Sequence, residues 1–95
     1  MANDGKIVAI FDVNGMTESH YQQSDAALAA AGLSAPKGRI IHIASPTATG
    51  WHVVDVWESA ADFEAFGQSL IPILQEIGVP PSEPTIYPLY NMILG

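Results

Sequence analysis

Cysteine is absent from the 95-residue chain, which excludes a disulfide framework and any thiolate metal site. Basic residues are almost as scarce. Lys6, Lys37 and Arg39 face ten acidic residues, for a formal net charge of -7. A nucleic-acid partner needs clustered cations to displace counterions, and an anionic membrane surface needs the same, so neither is expected. No apolar run approaches the roughly 20 residues that span a bilayer. The opening MANDGK holds no signal-type apolar stretch, and a cytoplasmic protein is the expectation. Charge of either sign is thin, at 14% of residues against 48% hydrophobic. A chain of this length builds one domain, here residues 1–95, and so small a domain exposes much of its surface. Part of that apolar surface is expected to lie against a partner.

Six elements can be read along the chain. Lys6 to Val13 (KIVAIFDV) is rich in β-branched residues and reads as a strand ended by Asn14-Gly15. Thr17 caps a helix running to about Ala31 and closed by Gly32, with Tyr21, Ser24, Leu28 and Ala31 on its buried face. Arg39 to Ser45 is a second strand, Pro46 to Thr49 a turn, and Gly50 to Glu58 a third strand. Ser59 and Asp62 begin a second helix whose stripe is Phe63, Phe66, Leu70, Leu74 and Ile77. Pro72 falls within this helix and predicts a kink or a restart, with Ser69 as a second cap. Thr85 to Leu94 reads as a last strand in which Pro88 calls for an edge or a bulge. The order β-α-β-β-α-β is that of a ferredoxin-like α+β fold: a four-stranded antiparallel sheet with two helices on one face.

The most strand-like stretch, GWHVVDVWES, carries a carboxylate at its centre, Asp55. A four-residue turn would pair His42 with Val53 and make Asp55 a diagonal neighbour of His42. It would also put Ile40, His42 and Ala44 on one face with Trp51, Val53, Asp55 and Trp57, and Arg39, Ile41 and Ile43 on the other. A turn one residue longer would pair His42 with His52 instead. Two readings of the pair stay open. Asp55 orients an imidazole that acts on a bound substrate, or the two form a polar pair that satisfies itself inside the protein or at a subunit boundary. A metal held by His42, His52 and Asp55 is disfavoured because the preferred register sends the histidines to opposite faces. Trp51 and Trp57 either stack on a flat ligand or fill the interior. There is no G-x-S-x-G, no P-loop and no dinucleotide fingerprint, so no cofactor is expected.

Four features together resemble the dimeric α+β barrel superfamily, and within it the small bacterial proteins grouped with antibiotic-biosynthesis monooxygenases. They are Gly15-Met16-Thr17 before the first helix, His42 on the second strand, the W-x-V-V-D-V-W-E-S strand, and Asn91 near the end. The resemblance implies a homodimer of two ferredoxin-like protomers packed sheet to sheet, each with a cavity for a small apolar or aromatic ligand. It implies a cofactor-independent monooxygenase acting on an aromatic or polyketide-like substrate, with His42, Asp55 and Trp57 as the catalytic residues. The alternatives are a non-catalytic small-molecule binder or stress-type protein, and a structural dimer with a filled interior. Haem-degrading relatives carry a histidine in the second helix where this chain has Gly67, a departure that sets haem degradation aside.

Overall fold

The structure, a computed structural model, describes residues 5–95; the first four residues of the MANDGK stretch lie outside them. Four strands, β1 (Ile7–Asn14), β2 (Arg39–Pro46), β3 (Gly50–Trp57) and β4 (Thr85–Pro88), form one antiparallel sheet in the order β2-β3-β1-β4. Two helices, α1 (Glu18–Ala30) and α2 (Ala60–Ile77), complete the expected ferredoxin-like order. No helix among the described residues is long and apolar enough to cross a membrane.

Local chemistry sets the helix ends. The Thr17 hydroxyl accepts from the His20 backbone N–H at 3.1 Å, and His20 Nδ1 accepts from the Thr17 N–H at 3.2 Å. Histidine thus fills the place that Glu or Gln usually takes in a capping box. Both helices close in the same way, on a glycine with positive φ, Gly32 at 75° and Gly78 at 90°. In each, the next residue's N–H reaches back to the helix, Leu33 to the Leu28 carbonyl at 2.8 Å and Val79 to that of Leu74 at 3.0 Å. An L side chain strains at such φ values, so glycine suits both positions.

Alternation along β1 divides the sheet into two faces. Ile7, Ala9, Phe11 and Val13 point toward the helices; Ile7, Ala9 and Val13 with Trp57, Phe66, Met16 and Val79 make two buried clusters, and the half-buried Phe11 packs against both. Val8, Ile10 and Asp12 point the other way, alongside Ile41, Ile43, Val54 and Tyr87. No helix among the described residues covers that second face. Ile43 and Tyr87 stay more than half exposed, as do Tyr90, Ile93 and Leu94 after β4.

Four expectations need correction. The β2–β3 turn is shorter than the sequence suggests. Thr47 N donates to Gly50 O at 2.9 Å and Pro46 pairs with Trp51, so the register moves by two residues and His42 lies directly opposite Asp55. A register irregularity between Arg39 and Ile41 pairs Arg39 with Trp57, which turns Arg39 onto the helix-facing side instead of the open one. The restart expected at Pro72 does not occur, since α2 continues as one helical span from Ala60 to Ile77. Pro72 and Gln68 are both exposed, so the Gln68 carbonyl that loses its helical donor is left to water. Finally, β4 ends at Pro88 rather than Leu94. Its antiparallel partner β1 begins at Ile7, opposite Pro88, and past that pair a single backbone bond continues the contact, from Leu89 N to Lys6 O at 3.0 Å.

Candidate functional site

Between the helix-facing side of the sheet and the two helices lies a cavity of about 690 Å³. Its walls are mostly apolar, from Phe11, Val13 and Met16 on one side to Phe63, Leu70 and Leu74 on the other. Helix α1 turns Tyr21, Ser24, Asp25 and Leu28 toward it, one helical face at spacings of three and four. Polar groups gather where α1 meets β2 and β3.

There Tyr21, His42 and Asp55 form a continuous chain. The Tyr21 hydroxyl is 2.7 Å from His42 Nε2, and His42 Nδ1 is 2.6 Å from Asp55 Oδ1. The Asp55 side chain is only 7% exposed and that of His42 29%. The carboxylate stands in the middle of β3 next to the fully buried Ala9 on β1, whose small side chain leaves the row open beside it. A carboxylate in such surroundings needs a partner, and His42 supplies it from directly across the strand pair. Every hydrogen finds an acceptor when Nδ1–H donates to Asp55 and the Tyr21 O–H donates to Nε2. Burial is the main cause that raises the Tyr21 pKa above the ordinary tyrosine value, with Asp25 next; the Arg39 guanidinium opposes them and Asp55 adds to the rise. A raised value keeps the hydroxyl protonated and fit to donate. The Tyr21 ring in turn stacks on Trp51 at 5.4 Å between centroids, with 19° between the planes.

Of the residues singled out from the sequence, His42 and Asp55 are brought together on the cavity wall. Trp57 is not with them. It is fully buried in the core, packed edge-on to Phe63 at 5.7 Å and against Phe66 at 5.4 Å, and it takes no part in lining the cavity. His52 lies on the open face, 2.6 Å from Asp12, so it cannot share an ion with His42. Tyr21 was legible only as a packing residue. The signal of its other role is that Ser24 and Asp25, both polar, share its inward face. Arg39 had no signal at all, because its direction depends on the irregularity in β2. Gly67 also lines the cavity, and a Cβ built on it would meet nothing within 4 Å.

No protein-family model and no curated protein matches the sequence. Solved structures do. A candidate antibiotic biosynthesis monooxygenase from Deinococcus radiodurans superposes with a TM-score of 0.62 at 14% identity, over 93% of this chain and 96% of that one. The chain shares its fold. A mutant form of SnoaB, a cofactor-independent oxygenase from Streptomyces nogalater, gives 0.60 at 16% identity over 93% and 94% of the two chains. The ActVA-Orf6 monooxygenase of Streptomyces coelicolor, in complex with the ligand Nanaomycin D, gives 0.60 at 13% over 100% and 96%. The resemblance carried by GWHVVDVWES is thus met at the level of architecture. One architecture serves many reactions, so chemistry has to be argued from Tyr21, His42 and Asp55.

Proposed function

We propose that this protein binds a small molecule and acts as a cofactor-independent monooxygenase on an aromatic, polyketide-like substrate, with His42 as the base and Asp55 as its orienting partner. The observation that carries the reading is the Tyr21–His42–Asp55 chain on the polar edge of an otherwise apolar cavity. Such a cavity suits a flat ring system with one polar edge. The similarity to SnoaB and to ActVA-Orf6 with its bound ligand supports the same class. Trp57 enters this reading as packing that fixes the end of β3.

The chemistry can be written with residues of this chain alone. An acidic methylene of the substrate gives its proton to the Tyr21 oxygen as the Tyr21 hydrogen passes to His42 Nε2. The imidazolium so formed is stabilised by Asp55. The substrate anion transfers one electron to molecular oxygen, the two radicals join to a peroxide, and the proton returns as water leaves. One methylene carbon and one molecule of oxygen thus give one ketone carbonyl and one water. The substrate loses two hydrogens, keeps one oxygen atom, and supplies both reducing equivalents that turn the other oxygen atom into water.

A homodimer belongs to the same proposal. The uncovered apolar face of the sheet and the exposed Tyr90, Ile93 and Leu94 are what a sheet-to-sheet partner would bury, in an interface on the order of 2,000 Å². A cytoplasmic setting is consistent with the cysteine-free sequence.

Dithranol, an anthrone with an activated methylene, tests the reaction by oxygen consumption and by the appearance of the quinone. Wild type should accelerate its oxidation above the buffer rate, and His42→Ala should return it to within about tenfold of buffer, since general-base catalysis contributes about 10²- to 10⁴-fold. Saturable binding without turnover would leave a non-catalytic binder. Neither binding nor turnover would remove the cavity as a functional site.

A further inference from the structure

We propose that Arg39 is the anion-recognition residue of the cavity and that the substrate is a planar aromatic acid whose ionised carboxylate docks on the Arg39 guanidinium. The inference rests on the cavity reading above and narrows its substrate class. In a chain with three basic residues among ten acidic ones, unpaired cations are not expected. Lys6 lies 3.7 Å from Glu58 and Lys37 lies 4.0 Å from Asp62. Arg39, among the described residues, has no such partner. Among the described residues its one side-chain hydrogen bond runs from Nη2 to the Ser34 carbonyl at 2.8 Å, which restrains the planar group and leaves most of its five N–H donors free.

The backbone has been altered to put it there. Without the irregularity between Arg39 and Ile41 the side chain would face the open side of the sheet. With it, Arg39 lies on the cavity wall together with His42 and Tyr21. Among the described residues it is the only lysine or arginine on that wall. Of the wall's three carboxylates, Asp55 is committed to His42, while Asp25 and Glu64 belong to exposed residues of the helices. A fixed, partly buried guanidinium with free donors fits a carboxylate through two parallel hydrogen bonds. A ring system held there by its acid group would lie on the apolar wall, with its next ring position offered to Tyr21 and His42.

The test compares anthracene-9-carboxylate with its neutral methyl ester by calorimetry, on wild type, Arg39→Gln and Arg39→Lys. Wild type should bind the acid roughly tenfold or more tightly than the ester, the usual effect of a charge-assisted pair. Arg39→Gln should bring the two affinities to within about twofold while ester binding persists, which also reports that the variant is folded. Arg39→Lys should fall between, since it keeps the charge and loses the fork. Equal binding of acid and ester by wild type would overturn the role of Arg39 and leave the cavity reading standing. An equal loss of both ligands in Arg39→Gln would make Arg39 a structural residue and overturn it as well. If wild type binds neither compound, this proposal fails; the dithranol assay then decides whether the cavity reading fails with it.

Discussion

Gly67 lies in the interior of α2, where glycine is a poor helix former, and it faces the cavity. Its backbone has no positive φ, and an added Cβ would meet nothing within 4 Å. Alanine should therefore fit without strain. Relative to glycine, alanine in a helix interior stabilises by about 0.8–1.0 kcal/mol. For a chain of this size that corresponds to a rise in Tm of about 4–8 °C. Leucine is nearly as good a helix former as alanine, so Gly67→Leu should also unfold no lower than wild type. Its side chain, however, would extend into the space that a ligand needs. Forcing extra methylenes into a filled site costs about 1–3 kcal/mol, so dithranol or anthracene-9-carboxylate should bind about tenfold or more weakly. The pair of variants separates stability from binding: one assay is thermal unfolding, the other ligand titration. If Gly67→Leu is stable and binds as tightly as wild type, the ligand does not occupy this cavity. A Gly67→Ala protein less stable than wild type would refute the geometry itself.

Three further outcomes follow from the same structure. Asp55→Asn keeps the shape and removes the charge that faces His42 Nδ1. It should lower stability by about 1–3 kcal/mol, read as a lower urea midpoint with an unchanged slope; an unaltered midpoint would mean that the pair carries no energy. The raised Tyr21 pKa makes stability fall as pH rises above the ordinary tyrosine value near 10, because the unfolded chain then loses a proton that the folded one keeps. Tyr21→Phe should remove that alkaline slope, and a slope unchanged in the variant would assign it to another group. Ile43→Lys, on the open sheet face, should leave the fold intact yet yield monomers in sedimentation where wild type gives dimers; a folded wild-type monomer at micromolar concentration would end the dimer proposal.

How far the sequence carried the fold depended on which rule was at work. Periodicity placed all six elements and separated the two faces of the sheet. The β2–β3 register was misjudged by two residues, but side chains alternate with a period of two, so His42 and Asp55 still fell on the same face. An error of one residue would have parted them. Arg39 is the opposite case. A single extra residue at Ile40 reversed its face, and nothing in the string RIIHIAS announces a bulge. Pro72 shows local propensity overridden. The rule against interior proline is about a missing donor and a clash, and neither ends α2, whose span continues past Pro72 to Ile77. The shortened β4 was illegible because strand length is set by the partner, and the β1 ladder begins only at Ile7, opposite Pro88. Tyr21 was half legible: its position on the inward face was clear, whereas its hydroxyl's partner required the three-dimensional approach of α1 to β2.

The placement of Asp55 also bears on how this small domain divides its stability from its site. β3 is bonded on both sides, to β1 and to β2, and its last residue, Trp57, is locked between Phe63 and Phe66. A carboxylate two positions before that anchor has little freedom to move. The same holds for His42, fixed by Asp55 at one nitrogen and by Tyr21 at the other. Preorganisation of this sort is what a proton-transferring group requires. It is obtained by leaving the space above the sheet hollow, so that the helix-facing side forgoes packing energy where the cavity lies. The opposite face is free of that constraint. It carries Ile10, Ile41, Ile43 and Val54, and burying those side chains contributes about 1.5–3 kcal/mol for each one fully removed from water. A second copy that covered this face would offset the hollow on the first. The proposed dimer would thus allow a domain of 95 residues to keep a cavity, and variants that dissociate it should lose stability before they lose the geometry of Tyr21, His42 and Asp55.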